Sequence, residues 1–177
     1  MKLAIIVALS APCLLAACGG GGDDAGTSPE ASGPASVSPI NQAELRRYTG
    51  LGPATVTGRA ALGEATCAGA VVRLVPGITA VREAYDAYNR GQRAASNPNT
   101  DMRVTSVRRQ GVCDGDGRFR FANLPEGQWV VATEIRSAGR PTRLVHRLIT
   151  ARAGDPTEVT LGERDVVAVP NARMAGN

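Results

Sequence analysis

The chain predicts an all-β domain, a seven-stranded antiparallel β-sandwich carrying one inserted α-helix, and three observations predict it. Apolar residues alternate with a period of two in seven short segments between Ala54 and Leu161, each bounded by turn residues. A single stretch, Ile78–Arg90, changes to helical spacing. The 177 residues suffice for one ordinary domain with flanking segments, and the Val, Leu and Ile between Thr55 and Leu161 can fill one core.

The expected strands, in order, are Ala54–Gly58, Ala70–Val75, Met102–Arg108, Arg118–Phe121, Trp129–Arg136, Arg143–Thr150 and Thr157–Leu161. Seven such strands suit two packed antiparallel sheets. In Arg118–Phe121 the alternation places Phe119 and Phe121 on one face, toward the core, and both guanidiniums on the other. Asp114–Gly117 supplies the turn chemistry of a tight hairpin, and Leu124-Pro-Glu-Gly127 that of a second corner. The hairpin over Asp114–Gly117 would bring Arg108 beside Arg118 and Arg120.

From Ile78 to Arg90 the residues Ile78, Val81, Tyr85 and Tyr88 fall three or four apart, which sets them on one helical face that Gly91 can terminate. Residues 91–101 would return this insertion, 77–101, to the sheet. Residues 41–52, with Leu45 and Tyr48 at helix-compatible spacing, form a short lead-in, and residues 166–177 read as a flexible tail.

Residues 1–17 have the charged, apolar and small-residue regions of a secretory signal, with an apolar run too short to span a bilayer. Leu15-Ala16-Ala17-Cys18 resembles the lipobox of bacterial lipoproteins. The resemblance implies cleavage before Cys18, acylation of that cysteine, palmitate included, and a membrane partner through the lipid anchor. Three acyl chains at about 0.8 kcal/mol per buried methylene would make release negligible. Gly19 stands where an inner-membrane retention signal would have Asp, so the resemblance points to the outer membrane of the envelope, on a face it does not specify. Residues 19–40 are rich in Gly, Ser, Pro and Ala, a composition that predicts a disordered tether with a mean reach of about 25 Å over its 22 residues.

With Cys13 in the signal and Cys18 acylated, Cys67 and Cys113 remain as a pair in an oxidising compartment, and a disulfide is the leading reading. It would close a loop of 46 residues, a stabilisation of about 4 kcal/mol in the chain-entropy model. A reactive or metal-binding pair finds no neighbouring His or further Cys to complete it.

Val56-Thr-Gly-Arg59, Ala68–Pro76 and the run Asp114-Gly-Asp-Gly-Arg-Phe-Arg-Phe121 with Leu124-Pro-Glu-Gly127 resemble the carboxypeptidase regulatory-like domain, a prealbumin-like sandwich related in architecture to immunoglobulin-like ones. The resemblance covers about residues 53–163 of a domain spanning 53–165. It implies a non-catalytic interaction or structural module, since the motif maintains a hairpin and a corner. The insertion departs from the minimal domain and, with adjacent loops, suggests an alternative: a carbohydrate- or peptide-binding module.

Composition narrows the chemistry. Lys2 is the sole lysine, which excludes Schiff-base catalysis and lysine isopeptide crosslinks in the mature chain. His146 is the sole histidine, so multi-histidine metal sites cannot be built; with Leu144 and Leu148 on its face it reads as a neutral, hydrogen-bonded, half-core residue. Asp114 and Asp116 admit a Ca²⁺ reading, but the loop is shorter than an EF-hand and lacks its later Glu. No enzymatic activity, cofactor or metal is therefore expected. Aromatic residues are 3% of the chain, too few for nucleic-acid stacking despite a formal charge of +4, and no nucleic-acid partner is expected. The candidate binding surface is Arg108, Arg118 and Arg120, either an anion-binding stripe or a solvated face, with Tyr85 and Tyr88, which either pack on the sandwich or present a ridge to an envelope protein or glycan.

Overall fold

The structure, a computed structural model, describes residues 33–167. In chain order its elements are α1 (Gln42–Arg46), β1 (Ala54–Leu62), β2 (Ala65–Thr66), β3 (Val71–Pro76), α2 (Thr79–Asn89), α3 (Met102–Val107), β4 (Arg109–Val112), β5 (Arg118–Leu124), β6 (Gly127–Ile135), β7 (Arg143–Ala151) and β8 (Thr157–Leu161). Short 3-10 turns lie at Pro98–Thr100 and Glu163–Asp165.

The strands form the expected sandwich. In one sheet β1 pairs antiparallel with β2 and β5 and parallel with β8; the other runs β4-β3-β6-β7, antiparallel throughout. The inner faces follow the period of two. Val72, Leu74, Trp129, Val131, Ile135 and Val145 meet Val56, Ala60, Phe119, Phe121, Val159 and Leu161, all buried. Phe119 and Phe121 thus take the core positions expected of them. Gly58 lies opposite Phe119, and a methyl there would run into the Val159 carbonyl and the Phe119 ring, so the close approach of three strands demands glycine. The β5 strand carries one extra residue against β1 between Ala54 and Val56, a bulge absorbed by Asn123 at φ 57°.

Trp129, fully buried, donates its indole N–H to the Pro125 carbonyl at 3.1 Å and receives the edge of Tyr48 with ring centroids 4.9 Å apart. The Leu124–Gly127 corner is therefore tied to the lead-in helix. That helix forms where its spacing predicts: Asn41 caps α1 by accepting the Ala43 N–H at 2.8 Å, and Leu45 and Tyr48 are buried.

Several expectations are corrected. Met102–Arg108 is not a strand. Asp101 accepts the Arg103 N–H at 2.8 Å as an N-cap, α3 follows, and Val104 and Val107, three apart, are its buried side. The strand of this region is β4, beginning at Arg109, and the crossover from β3 extends from Gly77 to Arg108, beyond the expected 77–101. Asp114–Gly117 does not close a hairpin between neighbouring strands of one sheet. It carries the chain from β4 in one sheet to β5 in the other, with the Asp114 carboxylate accepting the N–H groups of Asp116 and Arg118 at 3.0 and 2.8 Å and Gly117 at φ 75°. Residues 33–40, expected as the end of the tether, lie against the insertion: Ala35 bridges Ala94, and Ser38 holds the Glu83 carboxylate through N–H and hydroxyl at 2.6 and 2.9 Å. Val166 and Val167, placed in the tail, pair along β7.

Cys67 and Cys113 are joined, Cα atoms 5.8 Å apart, and bracket the insertion as expected. The signal segment, the lipobox Leu15, Ala16 and Ala17, Cys18, residues 19–32 and residues 168–177 lie outside the described residues.

Candidate binding face

The outer face of the β4-β3-β6-β7 sheet divides in two. Strand register places Gln110, Arg73, Ala132 and His146 in one cross-strand row, and Val112, Val71, Glu134 and Leu144 in the next. Helix α2 packs against β6 and closes the far end of this face over Val75 and Val130. It turns Val81, Ala84 and Ala87 inward. The Glu44 carboxylate accepts the N–H and hydroxyl of Thr79 at 2.7 and 2.8 Å, which satisfies the start of α2 and holds Glu44 below the usual carboxylate range.

His146 lies under the end of α2. Its ring centroid is 4.5 Å from that of Tyr85, and Nε2 donates to Asn89 Oδ1 at 2.8 Å. Burial pushes its pKa down to about 4, against a smaller upward effect of the Asp165 carboxylate. It shares a face with Leu144 and Leu148 as expected, but that face is the outer one beneath α2, not the interior between the sheets. Asp165 itself is fixed by two hydrogen bonds from Arg147, at 2.7 and 2.8 Å, and by the Gly162 N–H at 2.8 Å. Tyr85 and Tyr88 are half-buried, and burial raises the Tyr88 phenol above its ordinary pKa. Of the two readings of these tyrosines, packing is the one the structure shows for Tyr85.

The uncovered half of the face holds Val71, Arg73, Gln110, Val112 and Glu134. A depression of about 310 Å³ opens on its Glu134 side, lined by Val71, Arg73, Thr66, Gly69, Glu134 and Arg136, with Gln110 and Val112 outside that lining. Arg108 belongs here. With the Gln110 amide oxygen turned toward it, Arg108 donates from Nε at 3.1 Å and Nη2 at 2.6 Å, and Gln110 is the direct cross-strand partner of Arg73. Burial first, and the neighbouring Arg73 charge second, push Arg108 below its usual pKa. Neither guanidinium meets a carboxylate among the described residues, whereas Arg136 reaches Glu134 at 3.8 Å. Val112, 63% exposed, lies opposite the partly exposed Val71 and forms an apolar shelf beside the two charges.

The expected stripe of Arg108, Arg118 and Arg120 is therefore split. Arg118 and Arg120 remain together, exposed on the outer face of the other sheet, where Arg59 stands directly opposite Arg118. Arg108 is on the opposite layer because β4 and β5 do not pair. A second depression, about 340 Å³, lies along Thr57, Arg59, Arg118 and Glu158, and a third, about 430 Å³, lies between residues 37–40 and 96–103. Sequence reasoning missed Arg59, Arg73 and Glu134. Each alternates outward in its strand, but their grouping needs the strand order. Among the described residues no three His, Cys, Asp or Glu side chains come together as metal ligands, and no helix is long and apolar enough to cross a membrane.

No family model matches the chain, and no curated protein matches it. Among solved structures it is similar to a Pseudomonas aeruginosa protein described as a "putative carbohydrate binding protein", with a TM-score of 0.55 and 19% identity over 72% of this chain and 99% of the other. At that identity the likeness concerns the fold.

Proposed function

We propose that the chain is a lipid-anchored envelope lipoprotein whose regulatory-like sandwich is a non-catalytic interaction module, and that the module binds through the uncovered outer face of the β4-β3-β6-β7 sheet. One observation carries this: an apolar shelf, two uncompensated guanidiniums and a depression share one face, while the single histidine is buried neutral beneath α2. The lipobox resemblance supports anchoring through Cys18, and the likeness to a solved protein described as carbohydrate-binding supports a binding role. The test is photocrosslinking in living cells from Val112 and, on the opposite face, from Arg120. A discrete adduct from Val112 that Arg120 does not give is the expected result. Equal capture from both, or none from Val112, removes the face assignment.

A second reading places a carbohydrate or peptide in the insertion and its adjacent loops. The third depression favours it, although Asp101 and Arg103 there pair with each other at 2.8 Å. Photocrosslinking from Ser96 separates this reading from the first.

A further inference from the structure

On the binding face just proposed, we infer that Arg73 and Arg108 form a receptor for the carboxylate of an acidic sugar, a uronic acid unit, with Gln110, the cross-strand neighbour of Arg73, holding Arg108 and with Glu134 and the Val71–Val112 shelf receiving the rest of the ring. Arg73 is the register partner of Gln110, which Arg108 bonds, so the two like charges neighbour one another, and an anion that meets both offsets their repulsion. Guanidinium is the group whose planar donors match a carboxylate, and with Gln110 on the Nε–Nη2 edge of Arg108 the Nη1 side of that guanidinium is left to reach one. The carboxylate of Glu134 lies one row away, beside Val71. It would repel a run of acidic peptide side chains but accepts hydrogen bonds from hydroxyls, which a uronic acid carries next to its carboxylate. A neutral glycan would leave both guanidiniums unpaired. Apolar contact with Val71 and Val112 is open to the C–H edge of a pyranose ring.

The inference rests on the face assignment, and the test separates the two. Full-length acylated protein in mild detergent is titrated calorimetrically at low salt with a uronic acid trisaccharide, with the same trisaccharide methyl-esterified, and with a tri-glutamate peptide. The uronate should bind at least tenfold more tightly than either control. Arg73→Gln and Arg108→Gln should each weaken it tenfold or more, Arg73→Lys should weaken it to a lesser extent, and Arg120→Gln should leave it within twofold. Melting temperatures within a few degrees of the parent confirm that the variants fold, and Arg73→Lys serves where Arg73→Gln does not. Equal affinity for the ester or the peptide, insensitivity to both Arg73 variants, or no binding at millimolar uronate overturns the acidic-sugar assignment. A Val112 adduct obtained in that case leaves the face itself standing.

Discussion

His146 is 6% exposed and donates to Asn89 beneath Tyr85, so its folded pKa of about 4 lies below the 6.5 of an unperturbed imidazole. The unfolded chain then binds more protons between those two values. Its contribution is complete above about pH 6.5 and is lost as pH falls toward 4, at most on the order of 3 kcal/mol. Urea midpoints measured from pH 7 to 4.5 should fall, and His146→Gln should flatten that fall; an unchanged slope would assign it to carboxylates instead. Gly58 poses the opposite question, of space rather than charge. A methyl there would meet the Val159 carbonyl and the Phe119 ring, so Gly58→Ala should cost about 2–3 kcal/mol by overpacking, read as a lower melting temperature.

Between Gly77 and Arg108 the crossover does what a lone strand connection cannot: α2 covers half of one sheet, α3 packs Val104 and Val107, and the disulfide closes the ends. Replacing Cys67 and Cys113 with Ser should remove about 3–4 kcal/mol, with urea denaturation of oxidised parent and double variant as the check. Glu44→Ala leaves the Thr79 N–H without its carboxylate and should cost about 1 kcal/mol, seen as earlier hydrogen exchange in α2 than in β6. This region also shows where sequence reading succeeds and fails. The α2 spacing was long enough to identify a helix, and strands with inward Phe or Val on every second residue declared themselves. Met102–Arg108 did not, because in seven residues Met102 and Val104, two apart, suit a strand nearly as well as Val104 and Val107, three apart, suit a helix, and the deciding group, the Asp101 cap, lies outside the run. β2, two residues long, has no period to read.

At the scale of the whole molecule, the legible part of the candidate site was its chemistry and the illegible part its assembly. Exposed arginines and the buried histidine follow from alternation, but which arginines share a face depends on Asp114–Gly117 carrying the chain between sheets, a choice made by long-range pairing that no local pattern encodes. The same separation of layers gives the molecule two unlike outer faces, one with Arg59, Arg118 and Arg120, and one half-covered by α2 with Arg73 and Arg108. For a lipid-anchored module the consequence is a matter of concentration. On the proposal that Cys18 is acylated, three acyl chains would hold the sandwich near the membrane surface and raise the effective concentration at which its binding face meets an envelope partner. Cys18→Ala should therefore abolish palmitate incorporation and, because cleavage before Cys18 follows its acylation in the proposed pathway, leave a precursor that retains residues 1–17, while uronate affinity measured with purified protein stays within twofold of the parent. Palmitate incorporation into the Cys18→Ala chain, or its cleavage at the same bond, would overturn the assignment of Cys18.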